Sequence, residues 1–291
     1  MDYLKIAEIA AREAGQLLRE NLGKVKEIEY KTKNSLVTEV DRLSENLIVK
    51  VIRENFPSHD IFAEEAGRIS NKSSHVWIID PLDGTTNYAH TYPCFAISIA
   101  LEVEGAIRLG VVYDPIRDEF FSAELGQGAY LNGNSFKVSK ASRIEESLLC
   151  TGFTHDNEWM VDENLRHFEN FIRRAQAVRR DGSAALDLCY VACGRYDGFW
   201  ELGLHSWDTA AGSLIVKEAG GKITDFSGGS GVSPISPSPI QSGRSGTGIK
   251  REGFQGTAQE FNIYGEETLA TNGLIHDEMI RILSLGREPH I

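Results

Sequence analysis

The chain has 291 residues, of which 41% are hydrophobic and 25% are charged, as in an ordinary globular protein. Its net charge of −12 opposes binding to nucleic acid or to an anionic membrane surface, because both partners are negatively charged. We therefore expect neither partner, and a negative substrate would need a cation between itself and the protein. The four cysteines form no C-x-x-C pair and no secretory leader precedes them, which favours a reducing cytoplasm.

Two amphipathic helices are predicted in the first part of the chain. Apolar residues repeat at helical spacing over residues 2–22 and the pattern stops at Gly23. A second helical pattern begins after Asp41 and continues to Asn55-Phe56-Pro57. Asp41 therefore lies near a helix start, where an acid is also favoured simply by the helix dipole.

A short apolar strand is predicted next, and two acids follow it directly. Residues 61–63 form the strand, and Glu64 and Glu65 end it. Paired acids at a loop are usually solvated. Beside a buried strand they become reasonable when a divalent ion neutralises one of them.

Residues 77–87 carry the most informative pattern in the chain. Residues 77–79 predict the end of a buried strand, since Pro81 has no N–H to donate to a sheet. A tight turn after this strand would direct Asp80, Asp83 and the carbonyl of Leu82 at one point, which is how hard cations are bound by oxygen ligands. The same residue types also form ordinary turns for local reasons, and the motif alone leaves both interpretations open.

The residues after this turn favour anion binding. Gly84 permits a positive φ or a close approach to a ligand. Thr85 and Thr86 are predicted to cap a helix whose free N–H groups would face an anion beside the metal.

The rest of the chain predicts a sheet followed by a mixed second half. Alternating residues between 95 and 131 indicate antiparallel hairpins with turns near 104–105 and 114–115. The later elements are predicted in this order: a helix over 165–178, a helix over 182–194, a strand over 197–201, a helix from Ser206 with Asp208 at its start, a strand at 263–264 and a helix over 274–285. Cys189 and Cys193 are expected to pack in the core.

Residues 227–260 are rich in Gly, Ser and Pro and show no apolar periodicity. This composition predicts a flexible insertion that is dispensable for chemistry. The alternative is a lid in which Arg244, Lys250 and Arg251 contact phosphate.

Two separated motifs, WIIDPLDGTTNY at 77–88 and SWDTAAGSLIVKEAGG at 206–221, resemble those of the inositol monophosphatase family of Mg²⁺-dependent, lithium-sensitive phosphatases. Glu64-Glu65 and the segment 36–41 complete the pattern. The resemblance implies a layered α/β fold, an αβαβα sandwich with largely antiparallel or mixed sheets, a homodimer, and a metal site between the sheets. We divide the chain into an N-terminal α+β part, 1–140, with most metal ligands, and a C-terminal α/β part, 141–291, with Asp208 and the insertion.

The resemblance also implies roles for individual residues, with two to three Mg²⁺ ions as cofactors. Glu64, Asp80 and the Leu82 carbonyl would bind the first ion; Asp80, Asp83 and Asp208 would bind the second; and Asp41 would reach a third through water. Thr85 would share the orientation of the attacking water with Glu64 or Asp41. Gly84, Thr85 and Thr86 would surround the phosphate beside Asp83 and Asp208, and Gly182, Ser183, Ala184 and Glu201 would line the alcohol side. The segment before Asp41 is one residue shorter than the family's usual spacing, which leaves Lys31 and Lys33 as alternatives for the family's loop lysine.

These residue types suit the hydrolysis of a small phosphorylated polyol or sugar by metal-activated water, because such esters react slowly unless charge is neutralised on both oxygens. The predicted enzyme is an inositol-1-phosphate phosphatase, a phosphoric monoester hydrolase. A broader sugar phosphatase that also accepts fructose 1,6-bisphosphate is the alternative. A non-catalytic binding protein is disfavoured, since every predicted metal-binding side chain is still an acid. Covalent catalysis through an aspartate is disfavoured too, because no D-x-D-x-T arrangement occurs.

Overall fold

The computed structural model of the protein describes residues 2–24, 28–30, 36–154, 157–229 and 261–285. Seven α-helices lie in these ranges: α1 Tyr3–Asn21, α2 Glu39–Asn55, α3 Thr85–Ala89, α4 Glu158–Ile172, α5 Ala184–Ala192, α6 Ser206–Glu218 and α7 His276–Leu283. A short 3₁₀ turn covers Ile144–Glu146.

The strands of the described residues form three sheets. In chain order they are β1 Ile28–Tyr30, β2 Leu36–Thr38, β3 Asp60–Ala63, β4 Gly67–Ile69, β5 His75–Asp83, β6 Ala96–Val103, β7 Ala106–Asp114, β8 Glu119–Glu124, β9 Ala129–Leu131, β10 Asn134–Ser135, β11 Leu148–Thr151, β12 Ala177–Arg179, β13 Gly198–Leu202, β14 Lys222–Thr224 and β15 Glu267–Thr271. The small sheet pairs β1 with β2. The large sheet has the order β10-β9-β8-β7-β6-β5-β3-β4, and the five-stranded sheet has the order β12-β11-β13-β15-β14.

Helices and sheets alternate in five layers, and three apolar clusters lie between them. The first cluster joins α1 and α2 to one face of the eight-stranded sheet. The second joins the opposite face of that sheet to α5 and α6 and to the five-stranded sheet. The third joins the outer face of the five-stranded sheet to α4 and α7. The predicted αβαβα sandwich with mixed sheets is therefore confirmed.

Small residues let the middle layer approach the large sheet closely. A Cβ atom added to Gly110 on β7 would lie 2.6 Å from the backbone oxygen of Ala211 on α6. Only glycine fits at this contact, because the neighbouring atoms are backbone atoms of a packed helix. The close approach holds the N-terminal end of α6, with Asp208, against the sheet that carries Asp80 and Asp83.

The structure corrects the predicted end of the central strand. Strand β5 continues past Ile79 to Asp83 instead of stopping before Asp80. Asp80 pairs with Ser98 and Asp83 pairs with Ala96. The chain therefore advances by three residues on β5 where it advances by only two on β6, which forms a bulge in β5. Pro81 lies within this bulge, where the ladder is interrupted and its missing N–H is not needed.

Two predicted elements of the second half are also corrected. The helix predicted over 165–178 is α4, which begins at Glu158 because the Asn157 side chain accepts the Trp159 N–H at 3.0 Å. Residues 177–179 belong to β12 instead. The strand predicted at 263–264 is wrong: these residues lie in a turn, and the last strand is β15, which pairs antiparallel with both β13 and β14.

Other predictions agree with the structure or lie outside it. The hairpins over β6 to β9 are antiparallel, and α5 and α6 lie where the pattern placed helices. Residues 230–260, with Arg244, Lys250 and Arg251, and the alternative lysines Lys31 and Lys33 lie outside the described residues. The division at residue 140 stays a prediction. Among the described helices, none is both long and apolar enough to cross a membrane.

Candidate metal centre and active site

Three carboxylates from separate parts of the chain meet between the two large sheets. Asp80 and Asp83 lie at the end of β5, and Asp208 is the third residue of α6. One oxygen of each lies within 4.8 Å of the others. Such a cluster of like charges is stable at neutral pH only if protons or a cation reduce the repulsion.

Each aspartate of β5 is fixed by hydrogen bonds. The Leu82 N–H donates to Asp80 Oδ1 at 3.0 Å, which closes the bulge around Pro81. Asp83 Oδ2 accepts from the Ser183 hydroxyl at 2.5 Å and from the Ala185 N–H at 2.8 Å. These last two donors belong to the N-terminal end of α5, so the middle helical layer orients a carboxylate of the sheet.

Asp208 is held at the start of α6. The His205 N–H donates to Asp208 Oδ2 at 2.6 Å, as in a capping box. The Ser98 hydroxyl on β6 donates to the Trp207 carbonyl at 3.1 Å and ties the helix start to the large sheet. Asp208 therefore both caps the start of α6 and belongs to the carboxylate cluster.

The electrostatics of the cluster favour a cation. Burial, followed by the charges of Glu64 and Asp83, raises the pKa of Asp80 well above its usual value. Burial, followed by Asp83 and Glu64, does the same for the pKa of Asp208. Burial also raises the pKa of Asp83 to about 6, although the Ser183 and Ala185 hydrogen bonds oppose the change. Oxygen donors with this excess of negative charge suit a hard divalent ion.

Glu64 lies in the loop after β3, and a buried glutamate supports that loop. The two oxygens of Glu45 on α2 accept the N–H groups of Glu65 and Ala66, each at 2.8 Å. The Glu64 N–H donates to the Ile79 carbonyl at 3.1 Å. The Glu64 carboxylate is thereby close enough to raise the pKa values of all three clustered aspartates.

Asp41 and Thr85 form a hydrogen-bonded pair beside the cluster. The Thr85 hydroxyl lies 2.9 Å from Asp41 Oδ1 and 3.1 Å from the Leu82 carbonyl, both of which accept hydrogen bonds. Asp41 Oδ2 accepts from the Thr38 N–H at 2.8 Å and from the Thr38 hydroxyl at 2.5 Å. Burial raises the pKa of Asp41 against the effect of these Thr38 and Thr85 bonds. The predicted water-orienting pair is thus a real contact.

Gly84, and not a threonine, is the N-cap of α3. Its φ is +91°, and Thr85 and Thr86 are the first helical residues. A Cβ atom at this position would lie 2.9 Å from the Cys94 carbonyl and 3.2 Å from the Gly182 carbonyl. The prediction that Thr85 and Thr86 cap the helix is therefore wrong, because the chain needs a left-handed residue with no side chain one position earlier.

The residues predicted to line the alcohol side lie where α5 begins and on β13. Ser183 is the N-cap of α5 and Ala184 its first residue; both are buried, and Ser183 is hydrogen-bonded to Asp83. Glu201 on β13 is 8% exposed. Burial raises the pKa of Glu201 to about 8, while the charge of Arg180 opposes the change.

Two polar residues beside the candidate site were given no role in the sequence analysis. The Asn87 amide on α3 donates to the carbonyls of Cys94 at 2.7 Å and Asp181 at 2.8 Å, and so joins the large sheet to the loop before α5. The charge of Arg180 lowers the pKa of Glu201. Arg180 also lies against Gly182, where an added Cβ would be 2.7 Å from the Arg180 Nη1 atom. Both lie next to predicted residues, but side chains of this kind carry no periodic signal.

The raised pKa values predict a pH dependence of stability in the metal-free protein. A buried acid with a raised pKa stabilises the fold below its unfolded pKa, and this contribution is lost as the pH rises through the folded pKa. For Asp83, at about 6, and Glu201, at about 8, the loss falls mainly between pH 5 and 8. We expect the free energy of unfolding in EDTA to fall by roughly 2 to 5 kcal/mol over this range.

Urea unfolding at pH 5 and pH 8, with EDTA or with saturating Mg²⁺, measures this effect. Mg²⁺ should remove the part of the decline that comes from the clustered aspartates, because it compensates their ionised carboxylates, and it should leave the part that comes from Glu201. The Glu201→Gln variant provides the control and should show a shallower decline in EDTA than the parent. Equal stability at both pH values in EDTA would contradict the raised pKa values.

Comparisons with known proteins identify the family of this chain. The family model described as "Inositol monophosphatase family" matches residues 2–270. A protein named Nus factor SuhB from Pasteurella multocida is 44% identical over 229 residues, covering 78% of this chain and 86% of its own. The inositol-1-monophosphatase of Synechocystis sp. is 40% identical over 284 residues, covering 97% and 88%. A crystal structure of extragenic suppressor protein suhB from Bartonella henselae superposes with a TM-score of 0.84 at 36% identity, covering 97% and 98%.

The fold is that of the inositol monophosphatases, a class of phosphatases. The chain belongs to the inositol monophosphatase family.

Proposed function

We propose that the protein hydrolyses a small phosphate monoester with Mg²⁺, and that inositol 1-phosphate is the first substrate to test. The observation that supports this most directly is the cluster of Asp80, Asp83 and Asp208 between the sheets, with oxygens within 4.8 Å of one another. Carboxylates gathered in this way can hold the divalent ions that such a reaction requires.

The donor set fits Mg²⁺. All the side chains offered are carboxylates, and no His or Cys that would favour a softer metal belongs to this cluster. Asp80, Asp83 and Asp208 would hold the ions together with Glu64 and the Leu82 carbonyl, and Asp41 would take part through water. When bound, two to three Mg²⁺ ions would supply a lower pKa for the attacking water and charge stabilisation for the leaving oxygen.

Thr85 and Asp41 would orient the attacking water. When the Thr85 hydroxyl donates its proton to Asp41, its lone pairs are left to accept a hydrogen bond from water. Thr38 binds the other oxygen of Asp41 and keeps the carboxylate facing Thr85. The chain thus provides a fixed acceptor for one proton of the water, with Glu64, whose charge also reaches Asp41, as the alternative acceptor.

The substrate would lie between α3 and α5. Gly84, Thr85 and Thr86 would surround the phosphate beside Asp83 and Asp208, while Gly182, Ser183, Ala184 and Glu201 would face the alcohol. Glu201 is the one titratable side chain of the alcohol-side set, and Arg180 is the cation that opposes its raised pKa. Discrimination among alcohols should therefore depend on hydrogen bonds made by Glu201.

A phosphate-release assay over four substrates tests the proposal: inositol 1-phosphate, fructose 1,6-bisphosphate, a nucleotide bisphosphate and histidinol phosphate. We expect Mg²⁺-dependent turnover with inositol 1-phosphate at the highest kcat/KM. Comparable turnover of fructose 1,6-bisphosphate would support the broader sugar phosphatase. No Mg²⁺-dependent release from any of them would contradict the phosphatase proposal.

The variant Glu201→Gln should change preference among alcohols more than it changes metal binding. The substitution keeps the shape but replaces one carboxyl oxygen, an acceptor for sugar hydroxyls, by an amide NH₂ group that can only donate. We expect kcat/KM for inositol 1-phosphate to fall by about 10- to 100-fold. The value for p-nitrophenyl phosphate, which carries no such hydroxyls, should change less. The Mg²⁺ concentration for half-maximal activity should stay the same. An equal loss with both substrates would contradict the role.

The names of the relatives suggest a second candidate, a role as a Nus factor. Several relatives bear that name, including the Pasteurella multocida protein. The net charge of −12 argues that such a role would act through a protein partner and not through direct contact with nucleic acid. Replacement of a relative's gene by the Asp80→Asn variant separates the two: rescue of growth without phosphatase activity would favour the Nus factor role.

We also propose that the protein is a homodimer in the cytoplasm and is inhibited by Li⁺. The dimer and the inhibition by Li⁺ are proposed from the family. The cytoplasmic location is proposed from the four free thiols, at Cys94, Cys150, Cys189 and Cys193. Sedimentation analysis and a Li⁺ titration of Mg²⁺-dependent turnover test the two biochemical statements.

A further inference from the structure

A second cluster of side chains that could bind a metal shares no residue with the three aspartates of the candidate centre, although the charges of Glu201 and Asp83 reach its member Asp187. It comprises Cys150 on β11, Asp181 after β12 and Asp187 in the first turn of α5. The Cys150 sulfur and one oxygen of each aspartate lie within 4.8 Å of one another. Strands β11 and β12 are parallel, and the three residues gather near the carboxyl ends of these strands.

Asp187 is the residue that the fold leaves unexplained. Asp187 is 1% exposed, and among the described residues its carboxylate oxygens have no hydrogen-bond partner beyond a weak contact with the Cys150 thiol. Buried carboxylates without partners are costly, so they persist where they are protonated or where they bind a cation. The two neighbours that accompany it, a thiol and a second carboxylate, are themselves ligand types.

A hydrogen bond already orients one member of the cluster. The Tyr196 hydroxyl donates to Asp181 Oδ2. Metal-binding carboxylates are commonly held in this way by an outer hydrogen bond. Asp181 is also the most accessible of the three, while Cys150 and Asp187 are buried, so an ion would enter on the Asp181 side.

We propose that Cys150, Asp181 and Asp187 form a second metal site, selective for a borderline-soft divalent ion such as Zn²⁺ or Co²⁺ over Mg²⁺. One thiolate and two carboxylates give the mixed sulfur and oxygen donors that Zn²⁺ accepts and Mg²⁺ avoids. Around a tetrahedral ion the ligand atoms would be roughly 3.3 to 3.5 Å apart. The side chains therefore have to close in by at most about 1.5 Å. A water would complete the four positions.

Binding converts the thiol to a thiolate. The Cys150 S–H bond breaks, its proton passes to the buffer, and the sulfur electron pair forms the bond to the ion. No oxidant or reductant is involved. Because the candidate active site has only oxygen donors, sulfur coordination distinguishes the two sites spectroscopically, and the inference does not depend on the proposed phosphatase activity.

Titration of the metal-free protein with Co²⁺, in the presence of excess Mg²⁺, provides the test. We expect a near-ultraviolet sulfur-to-Co²⁺ charge-transfer band that saturates at about one ion per chain, and its loss when Zn²⁺ displaces Co²⁺. Cys150→Ala should abolish the band, and Asp187→Asn should weaken Co²⁺ binding by roughly 10- to 100-fold or more.

The matched control is Cys193→Ala. Cys193 is the more exposed thiol of α5 and is outside the cluster, so its loss should leave the band unchanged. Absence of the band in the wild-type protein overturns the proposal, whether or not any variant folds. A band that survives in Cys150→Ala also overturns it. Circular dichroism of each variant confirms that a lost band is not a lost fold.

Discussion

Replacing Asp80 by Asn should abolish turnover while making the metal-free protein more stable. The amide keeps the oxygen that accepts the Leu82 N–H, so the bulge of β5 is retained. It removes one of the clustered charges, which repel each other most strongly when no metal is bound. On the proposed function, kcat/KM should fall by at least about 10²- to 10³-fold, the cost of deleting one electrostatic group from an active site.

The same substitution should raise the free energy of unfolding in EDTA by about 1 to 3 kcal/mol, because an uncompensated buried charge is lost. The stabilisation that Mg²⁺ gives to the parent should largely disappear. Asp208→Asn should behave alike, since its oxygen accepts the His205 N–H in either form. Phosphate release and urea unfolding with and without Mg²⁺ measure both effects.

Asp60 offers a matched control with the opposite behaviour. It is an equally buried aspartate at the start of β3, and its carboxylate accepts the N–H groups of Asn71 at 2.7 Å and Ser73 at 3.0 Å. Burial raises the pKa of Asp60. The hydrogen bonds from Ser73 and Asn71, with those from Ser70 and Arg68, outweigh burial, and the pKa is lowered. Asp60→Asn should therefore lose about 1 to 3 kcal/mol of stability and keep its turnover. If Asp80→Asn kept near-normal activity with Mg²⁺, the assignment of the site would be wrong.

The second large effect is expected at Gly84. Alanine there must adopt a φ of +91° and place its Cβ 2.9 Å from the Cys94 carbonyl and 3.2 Å from the Gly182 carbonyl. Both contacts are to backbone, so the strain cannot be relieved by a rotamer change. We expect Gly84→Ala to lose roughly 2 to 5 kcal/mol of stability, the sum of backbone strain and overpacking.

Turnover of Gly84→Ala should fall by about 10²-fold or more, since Thr85 follows directly and a displacement of about 1 Å is enough for that loss. Gly220 provides the control: its φ is +90°, but an added Cβ would meet no atom within 4 Å. Gly220→Ala should lose only the strain contribution of about 1 to 2 kcal/mol and keep normal kcat. Thermal unfolding and steady-state kinetics compare the pair. Equal effects of the two substitutions would show that crowding at Gly84 is unimportant.

The acids of the candidate site could be predicted from the sequence because the reaction restricts their type. Asp80 and Asp83 are separated by only two residues, and Asp208 opens a recognisable helix, so local spacing indicated each one. The motif could not show the bulge that keeps Asp80 and Asp83 within β5. Pro81 is a sound signal for the end of a ladder, but the neighbouring strand β6 tolerates it by shifting register.

The last strand escaped prediction for a different reason. Strand β15 is buried along most of its length, since it pairs with β13 on one side and β14 on the other. A strand that is buried on both faces carries no alternation, and Thr268 and Thr271 interrupt its apolar character. Ile263 and Tyr264 form an uninterrupted apolar pair, and the last strand was therefore predicted there.

The cluster of Cys150, Asp181 and Asp187 shows where reading of a sequence reaches its limit. The members come from β11, the loop after β12 and helix α5, and no short spacing joins the first to the other two. Their meeting depends on the parallel pairing of β11 with β12, which is a property of the assembled sheet. In the sequence, Cys150 is only a small apolar residue in a strand.

The separate origins of the three clustered carboxylates affect how the site comes into existence during synthesis. A nascent chain that has emerged only as far as residue 140 contains Asp80 and Asp83, but neither the Ser183 and Ala185 donors that hold Asp83 nor the Asp208 of the middle layer. The ribosome must therefore release more than two thirds of the polypeptide before a complete carboxylate set can form. A growing chain is thus kept from acting on cellular phosphate esters until its second sheet is available.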